Sequence, residues 1–287
     1  MPLLKNLIDE KYSSLSKKQK IVADYLLANP DEVIFSKLDQ LAFDAGVSTT
    51  SVLNFARSLG FSGFTEFQQT IRQDIMSSEN NSSLPERLRH SVGIVSNDDL
   101  FLKSFQNDIN NIYQTMNHLS KDDLSASVDS ILKADEIYVL SSRSSFAISF
   151  LLGMRLSQIR SGVHMVDGIG LTYPEGIKNA SSNDLCIATL IPRYDRMVAK
   201  MVMSLKKKGV KTLILGKHGT DELKAYGDII IPCFTKGISF KSSLVSIVSV
   251  CNYLLAAVAA ANPEEASRNL EVIEELLGDN FYLGLDV

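Results

Sequence analysis

Cysteine is scarce in this chain: Cys186, Cys233 and Cys251 are all there is, an odd number with no C-x-x-C pair. That excludes a disulfide framework and a cysteine-bound zinc, and leaves three thiols that read as buried. Histidine is nearly as rare, and none of His90, His118, His164 and His218 stands at a spacing that ties it to a carboxylate. A phosphate-binding G-x-x-x-x-G-K-S loop, an H-E-x-x-H helix and a nucleophile elbow are all absent. Nucleotide hydrolysis, zinc proteolysis and α/β-hydrolase chemistry are thereby set aside. The opening MPLLKNLIDEKYSS has early acids and no apolar run before a small-residue cleavage site, so it is not read as a signal peptide. The most apolar stretch, Leu244 to Ala261, is interrupted by Ser246, Ser249, Asn252 and Tyr253. It predicts a buried helix rather than a membrane span, because lipid would leave those polar groups without partners.

A basic excess is missing too. Net charge is −4, and through residue 76 the eight lysines and arginines face nine acids. Any inference of nucleic-acid binding therefore rests on local pattern. What is present is a globular composition, 45 % hydrophobic and 22 % charged, over 287 residues, which suits two domains with a core each. The polar run SSENNSSL, Ser77 to Leu84, has no hydrophobic period and leads into Pro85. Residues 77–97 thus read as a linker between one domain over 1–76 and another over 98–287.

The first domain reads as all-α. Apolar spacing and capping residues predict helices over Leu3–Lys11, from Ser16 to Asn29-Pro30, from Ser36 to Gly46, over Thr49–Leu59 and over Glu66–Met76. The second domain opens with helices over Asp98–His118 and Lys121–Lys133. Short apolar runs follow at Glu136–Leu140, Val163–Val166, Leu185–Ile191, Lys211–Leu215 and Ile229–Pro232, separated mostly by helical segments. That alternation predicts an α/β fold, a doubly wound parallel sheet in three αβα layers. Helices over Lys241–Ala261 and Pro263–Leu277 close the chain; the first suits the core, with part of its face open to a dimer contact.

Two short helices joined by Ala45-Gly46-Val47-Ser48 make a helix-turn-helix signature. With Ser48 as cap and Val52, Phe55, Ala56 and Leu59 as the inner face, the second helix leaves Thr49, Thr50, Ser51, Leu53, Asn54 and Arg57 outside. Hydroxyls and N–H groups at a helix start suit phosphates, the Asn54 amide suits adenine, and Arg57 suits guanine or phosphate. Lys17, Lys18 and Lys20 would add phosphate contacts from the helix before. An ordinary helical bundle, with Asn54 and Arg57 merely solvated, fits the same pattern. With so little basic charge, binding double-stranded DNA calls for a dimer that sets two such helices on adjacent half-sites.

The segment KLDQLAFDAGVSTTSVLNFARSLGFSGFTEFQ resembles the helix-turn-helix of the RpiR family of bacterial regulators. The likeness lies in the A-G-V-S turn, Phe55, Leu59-Gly60-Phe61 and Gly63-Phe64-Thr65-Glu66-Phe67, while Asn54 stands where many members carry arginine. The second domain is similar to the sugar isomerase (SIS) domain that this family places after its helix-turn-helix. Ser141-Ser142-Arg143-Ser144-Ser145 matches a G-x-R-S-S loop after the first strand, and Pro192-Arg193-Tyr194 a P-R-Y loop after the third. The resemblance implies a cytoplasmic transcriptional regulator, dimeric or tetrameric, that binds a DNA operator and senses a sugar phosphate or related sugar-derived metabolite. It implies no cofactor, no metal and no membrane.

Both loops belong at carboxyl ends of parallel strands, where open α/β sheets hold ligands. Backbone N–H groups, the serine hydroxyls, Arg143 and Arg193 would form an anion pocket, with Tyr194 beside it and with Ser239 and Ser242, flanking Lys241 and followed by Ser243, closing it. Departures from the family pattern bear on the ligand. Ser141 replaces a glycine, Leu190 a serine and Asp195 a hydroxyl residue, and an acid there repels a phosphate, so a neutral or differently charged ligand stays open. The serines also read as a polar turn capping a helix, and Arg143 as partner to an acid across a dimer interface. An SIS fold equally serves aldose–ketose isomerases, the alternative function, for which Glu175 is the best-placed carboxylate.

Overall fold

The computed structural model describes residues 2–28, 36–71, 84–92, 100–166 and 174–278, which fall into two compact units, Met1–Ser83 and Leu84–Val287. In the first, α1 (Pro2–Lys11), α2 (Lys17–Ala28), α3 (Leu38–Asp44), α4 (Thr49–Ser58) and α5 (64–71) enclose one core. Leu4, Ile8, Val22, Leu26, Leu41 and Val52 meet there with Phe55 and Phe67, whose rings pack edge to face at 5.9 Å. The predicted ends at Asn29-Pro30 and at residues 72–76 lie outside the described residues.

Two glycines stop the central helices. After α3, Gly46 at φ +67° donates its N–H to the Phe43 carbonyl and Val47 donates to Ala42. After α4, Gly60 at φ +104° donates to Arg57, and Phe61 to Ala56. Both are the paired 6→1 and 5→2 bonds that satisfy a helix's last carbonyls, and they need a left-handed residue.

In the second unit, α6 (Leu84–Val92) occupies part of the stretch read as linker. Pro85 lies in its first turn, where the missing N–H has no intrahelical partner to lose, so the proline starts a helix instead of breaking the chain. Then come α7 (Leu100–His118), α8 (Lys121–Lys133), β1 (Ile137–Leu140), α9 (Phe146–Ile159), β2 (Val163–Val166), β3 (Leu185–Leu190), α10 (Arg196–Lys207), β4 (Lys211–Lys217), β5 (Ile229–Cys233), α11 (Val245–Ala261) and α12 (Pro263–Leu277). All strands are parallel, in the order β2-β1-β3-β4-β5. Alternate residues feed two cores: Ile137, Val139, Ile187 and Leu213 face α8, α9 and α11, whereas Leu140, Ala188 and Ile214 face α10. Short 3-10 turns at Glu175–Ile177 and Asp221–Ala225 stand in the connections to β3 and β5, so Glu175 is exposed on such a turn and not on an α-helix.

The predicted helix from Lys241 starts instead at Val245, because Ser243 donates its hydroxyl to Asp108 at 2.6 Å and its N–H to Thr235. Beyond that point Ile247, Val250, Cys251, Leu254 and Val258 are core, which leaves α11 little apolar surface to offer a second chain. Among the described residues no single helix is long and apolar enough to cross a membrane, and α11 and α12 are bent by 105° about Asn262.

Two carboxylates, buried Asp184 and exposed Asp228, pin the amino ends of the strands. Asp184 accepts the N–H groups of Glu136 at 3.1 Å and Ser181 at 2.6 Å, tying the approach to β3 onto that of β1. Asp228 ties β5 to β4 through the N–H and hydroxyl of Thr212, and pairs with Lys206 at 2.8 Å. Burial pushes the Asp228 carboxyl up, but Lys206 and Thr212 outweigh it and hold it below the ordinary aspartate range. A depressed acid stabilises above its unfolded pKa and loses that contribution as pH falls through its folded one. Asp228→Asn should therefore lower the urea midpoint at pH 7 and flatten the loss of stability on acidification, as followed by circular dichroism. At Gly46 an added Cβ meets nothing within 4 Å, so Gly46→Ala tests backbone strain alone. It should cost about 1–2 kcal/mol in urea unfolding of the helical unit.

Candidate functional site

In the helical unit, Ser48 caps α4, its Oγ accepting the Ser51 N–H at 3.3 Å and lying 2.9 Å from the Ser51 Oγ. Ser51 is only 8 % exposed and is spent on that cap, which corrects its predicted place on the outer face. The short hydroxyl folds back to the cap instead of outward, and Leu53 likewise leans on the core. Thr50, Asn54 and Arg57 are exposed as predicted, and Thr49 is half-buried.

Lys17 and Lys18 project from the start of α2 beside this face. They line a cleft of 330 Å³ together with Ser16, Gln19, Ser51 and Asn54. Lys20 sits instead over the Tyr12 ring, 5.2 Å from its centre. Gln19 is the residue that sequence reasoning missed. Its Oε1 accepts the Ser16 N–H at 2.8 Å and its Nε2 donates to the Asn54 carbonyl at 3.0 Å, so it fastens α2 to α4. The S-x-x-Q spacing from Ser16 to Gln19 is a capping box and was the available signal.

In the α/β unit, strand order reverses at β1. The chain runs outward from β1 to β2 and then returns to β3 on the other side. Leu140 pairs with Ala188, so Ser141 and Ser142 begin level with the last two residues of β3. Ser141 is fully buried, and its Oγ has no hydrogen-bond partner among the described residues. Ser142 is extended, and Arg143 follows at φ +52°, a left-handed conformation that no other described non-glycine residue adopts. This costs about 1–2 kcal/mol and turns the chain into α9. Arg143 and Ser144 are exposed, whereas Ser145 is buried with its N–H on the Ser142 carbonyl.

The loop after β3 leads through Pro192, exposed Arg193 and Tyr194, whose Oη lies 3.0 Å from Thr220 Oγ1. It ends on Asp195, which caps α10 by accepting the N–H groups of Met197 at 2.7 Å and Val198 at 3.3 Å. The same carboxylate accepts the Ser142 hydroxyl and faces the Arg143 guanidinium. Burial raises its pKa, but these hydrogen bonds and the Arg143 charge prevail and hold it below the usual range. Asp195 thus joins the two loops across the switch point. Ser142, Arg143 and Asp195 are brought together, with Arg193 and Tyr194 on the facing loop. Ser239 and Ser242 follow β5, which stands beyond β4 at the sheet edge. There Ser239 Oγ is 3.5 Å from Ser91 Oγ, and the segment is held by α7.

Residues 2–78 match the helix-turn-helix domain of the rpiR family, and residues 130–261 match the SIS domain. Over 247 residues, 86 % of each chain, the sequence is 22 % identical to an HTH-type transcriptional regulator of Clostridium perfringens. The sugar isomerase domain of an RpiR transcription factor from Sphaerobacter thermophilus is similar at TM-score 0.58 and 27 % identity, covering 62 % of this chain and 99 % of that one. The Vibrio vulnificus NanR protein shares the fold at TM-score 0.54 and 18 % identity, over 96 % of this chain and 97 % of its own. With an rpiR-type helix-turn-helix followed by a SIS domain, the chain belongs to the RpiR family of transcriptional regulators.

Proposed function

We propose that this regulator binds its operator through α4 and senses, in its α/β domain, a sugar phosphate or related sugar-derived metabolite that modulates operator binding. It acts in the cytoplasm as a homodimer and catalyses nothing. The observation that carries the effector half is the pair of loops meeting through Ser142, Arg143 and Asp195 at the switch point, where open parallel sheets bind ligands. The NanR protein, of the same fold, was solved complexed with ManNAc-6P.

An anionic effector would meet Arg143, Arg193, the hydroxyls of Ser142 and Ser144, and the N–H groups opening α9. It would compete with Asp195 for Arg143. Displacing that carboxylate uncouples the two loops, which alters how paired α/β domains pack and so the spacing of two recognition helices. Couplings of this kind are typically about 1–3 kcal/mol, or roughly five- to hundredfold in operator occupancy. Binding without catalysis is favoured over an isomerase because, among the described residues, the histidine–carboxylate pair, His164 Nε2 to Glu136 Oε2 at 2.5 Å, lies by the amino end of β1, away from the loops.

Fluorescence anisotropy on duplexes tiled from the protein's upstream region, against scrambled duplexes at the same salt, tests the regulator half. Saturable preference for one duplex supports it, and equal binding to all opposes it. On the preferred duplex Asn54→Ala and Arg57→Ala should each cost about 1–3 kcal/mol, while Lys17→Ala should weaken binding to all duplexes and reduce the salt slope by about 1. Ser51→Ala should lower stability and leave DNA affinity within about twofold. In the effector half, Arg143→Ala should abolish the response of operator binding to sugar phosphates. Asp195→Asn should strengthen the effect of phosphorylated sugars roughly three- to tenfold by removing a competing charge. Effector titrations of the preformed complex read both, and an unchanged response in both variants would place the effector elsewhere.

A further inference from the structure

Helix α7 is inside out. The side that faces its own domain is polar: Asn111 and Thr115 are its buried residues, each 2 % exposed. Asn107 and Asn111 donate to the Lys236 carbonyl at 2.8 Å, Thr115 Oγ1 accepts the Phe234 N–H at 2.8 Å, and Asp108 accepts the Ser243 hydroxyl. These side chains act as a surrogate strand for the backbone that continues past edge strand β5. The outward side carries Phe101, Phe105, Ile109, Ile112, Tyr113 and Met116, spaced as one helical stripe and exposed by between 36 % and 74 %. Taking about 200 Å² per large side chain, the stripe offers on the order of 700 Å² of apolar surface, close to the roughly 800 Å² each partner gives a stable interface.

Charge narrows what can cover it. From residue 100 to 118 the only formal charges are Lys103 and Asp108, and Asp108 is turned to Ser243. A two-fold axis sets the patch against the same patch of the other copy, so a stripe carrying one sign of charge would repel itself; an uncharged stripe avoids that conflict. A charged partner would find nothing to pair with.

We infer that the outward stripe of α7, centred on Ile109, is the surface through which a second copy of this chain docks, helix against helix. This rests on the dimer in the proposed function but not on DNA or effector binding, and it moves the interface away from α11. Because Ile109 lies at the middle of the stripe, it faces its own counterpart whether the helices run parallel or antiparallel.

The test uses the full chain. Sedimentation equilibrium at tens of micromolar should give about twice 31.6 kDa for the wild type and a single-chain mass for Ile109→Asp, with unchanged helical circular dichroism. Ile109→Cys covers the possibility that the charged variant misfolds. A short bismaleimide should link it into a dimer band and leave Lys200→Cys, exposed on α10, unlinked. The native thiols do not interfere, since all three are buried and burial pushes Cys251 up to about 12. A monomeric wild type, or a dimeric Ile109→Asp together with an unlinked Ile109→Cys, overturns the inference. Operator anisotropy on the wild type reports separately on the regulator reading.

Discussion

The parallel pairing of β1 with β3 is the constraint on which the geometry of the two switch-point loops depends. These strands are far apart in sequence, and only the return of the chain across β1 brings the loop after Leu140 beside the loop after Leu190. Asp184 holds the start of the pair, and Asp195 joins its far end through Ser142 and Arg143. Between these polar anchors the ladder is buried on both faces by apolar side chains, so the register has nowhere to slip. A one-residue shift would send Ile187 into the face that Ala188 fills and draw the loops out of reach of one another.

The helical unit meets a different constraint, that of presenting the polar face of α4 with almost no charge to spare. It does so by concentration. Lys17 and Lys18 are set beside Asn54 by Gln19, while Ser48 and Ser51 satisfy the opening turn of α4 internally. The exposed hydroxyl of Thr50 and the two lysines then make a locally positive rim on a domain with no basic excess. On the proposed function, neutral hydroxyls and an amide supply much of that face, so shape and hydrogen bonding would carry more of the discrimination than Coulomb attraction.

Periodicity made most of the fold legible in the sequence. All five strands stand where short apolar runs were expected, and the glycine at 46 marked its helix end, because left-handed caps leave a residue-type signature. What stayed hidden depends on partners distant in sequence. Ser51 looks outward by spacing and turns inward by a hydrogen bond; Asp195 looks like an obstacle to a ligand and proves to be a cap and a bridge. Pro85 looks like a break and opens a helix. Helix α7 was expected from its apolar spacing, but which of its sides is buried depends on the polar continuation of β5, invisible to any local pattern.

The Asp195 bridge gives the site an occupant of its own. On the proposed function, an arriving anion is not filling an empty pocket but evicting a tethered rival whose local concentration never changes. The strength of that bridge then sets a detection threshold: each 1.4 kcal/mol in it moves the half-responding effector concentration about tenfold. Substitutions at position 195, which need never touch the effector, would retune the metabolite level at which the gene is switched while leaving the identity of the signal alone.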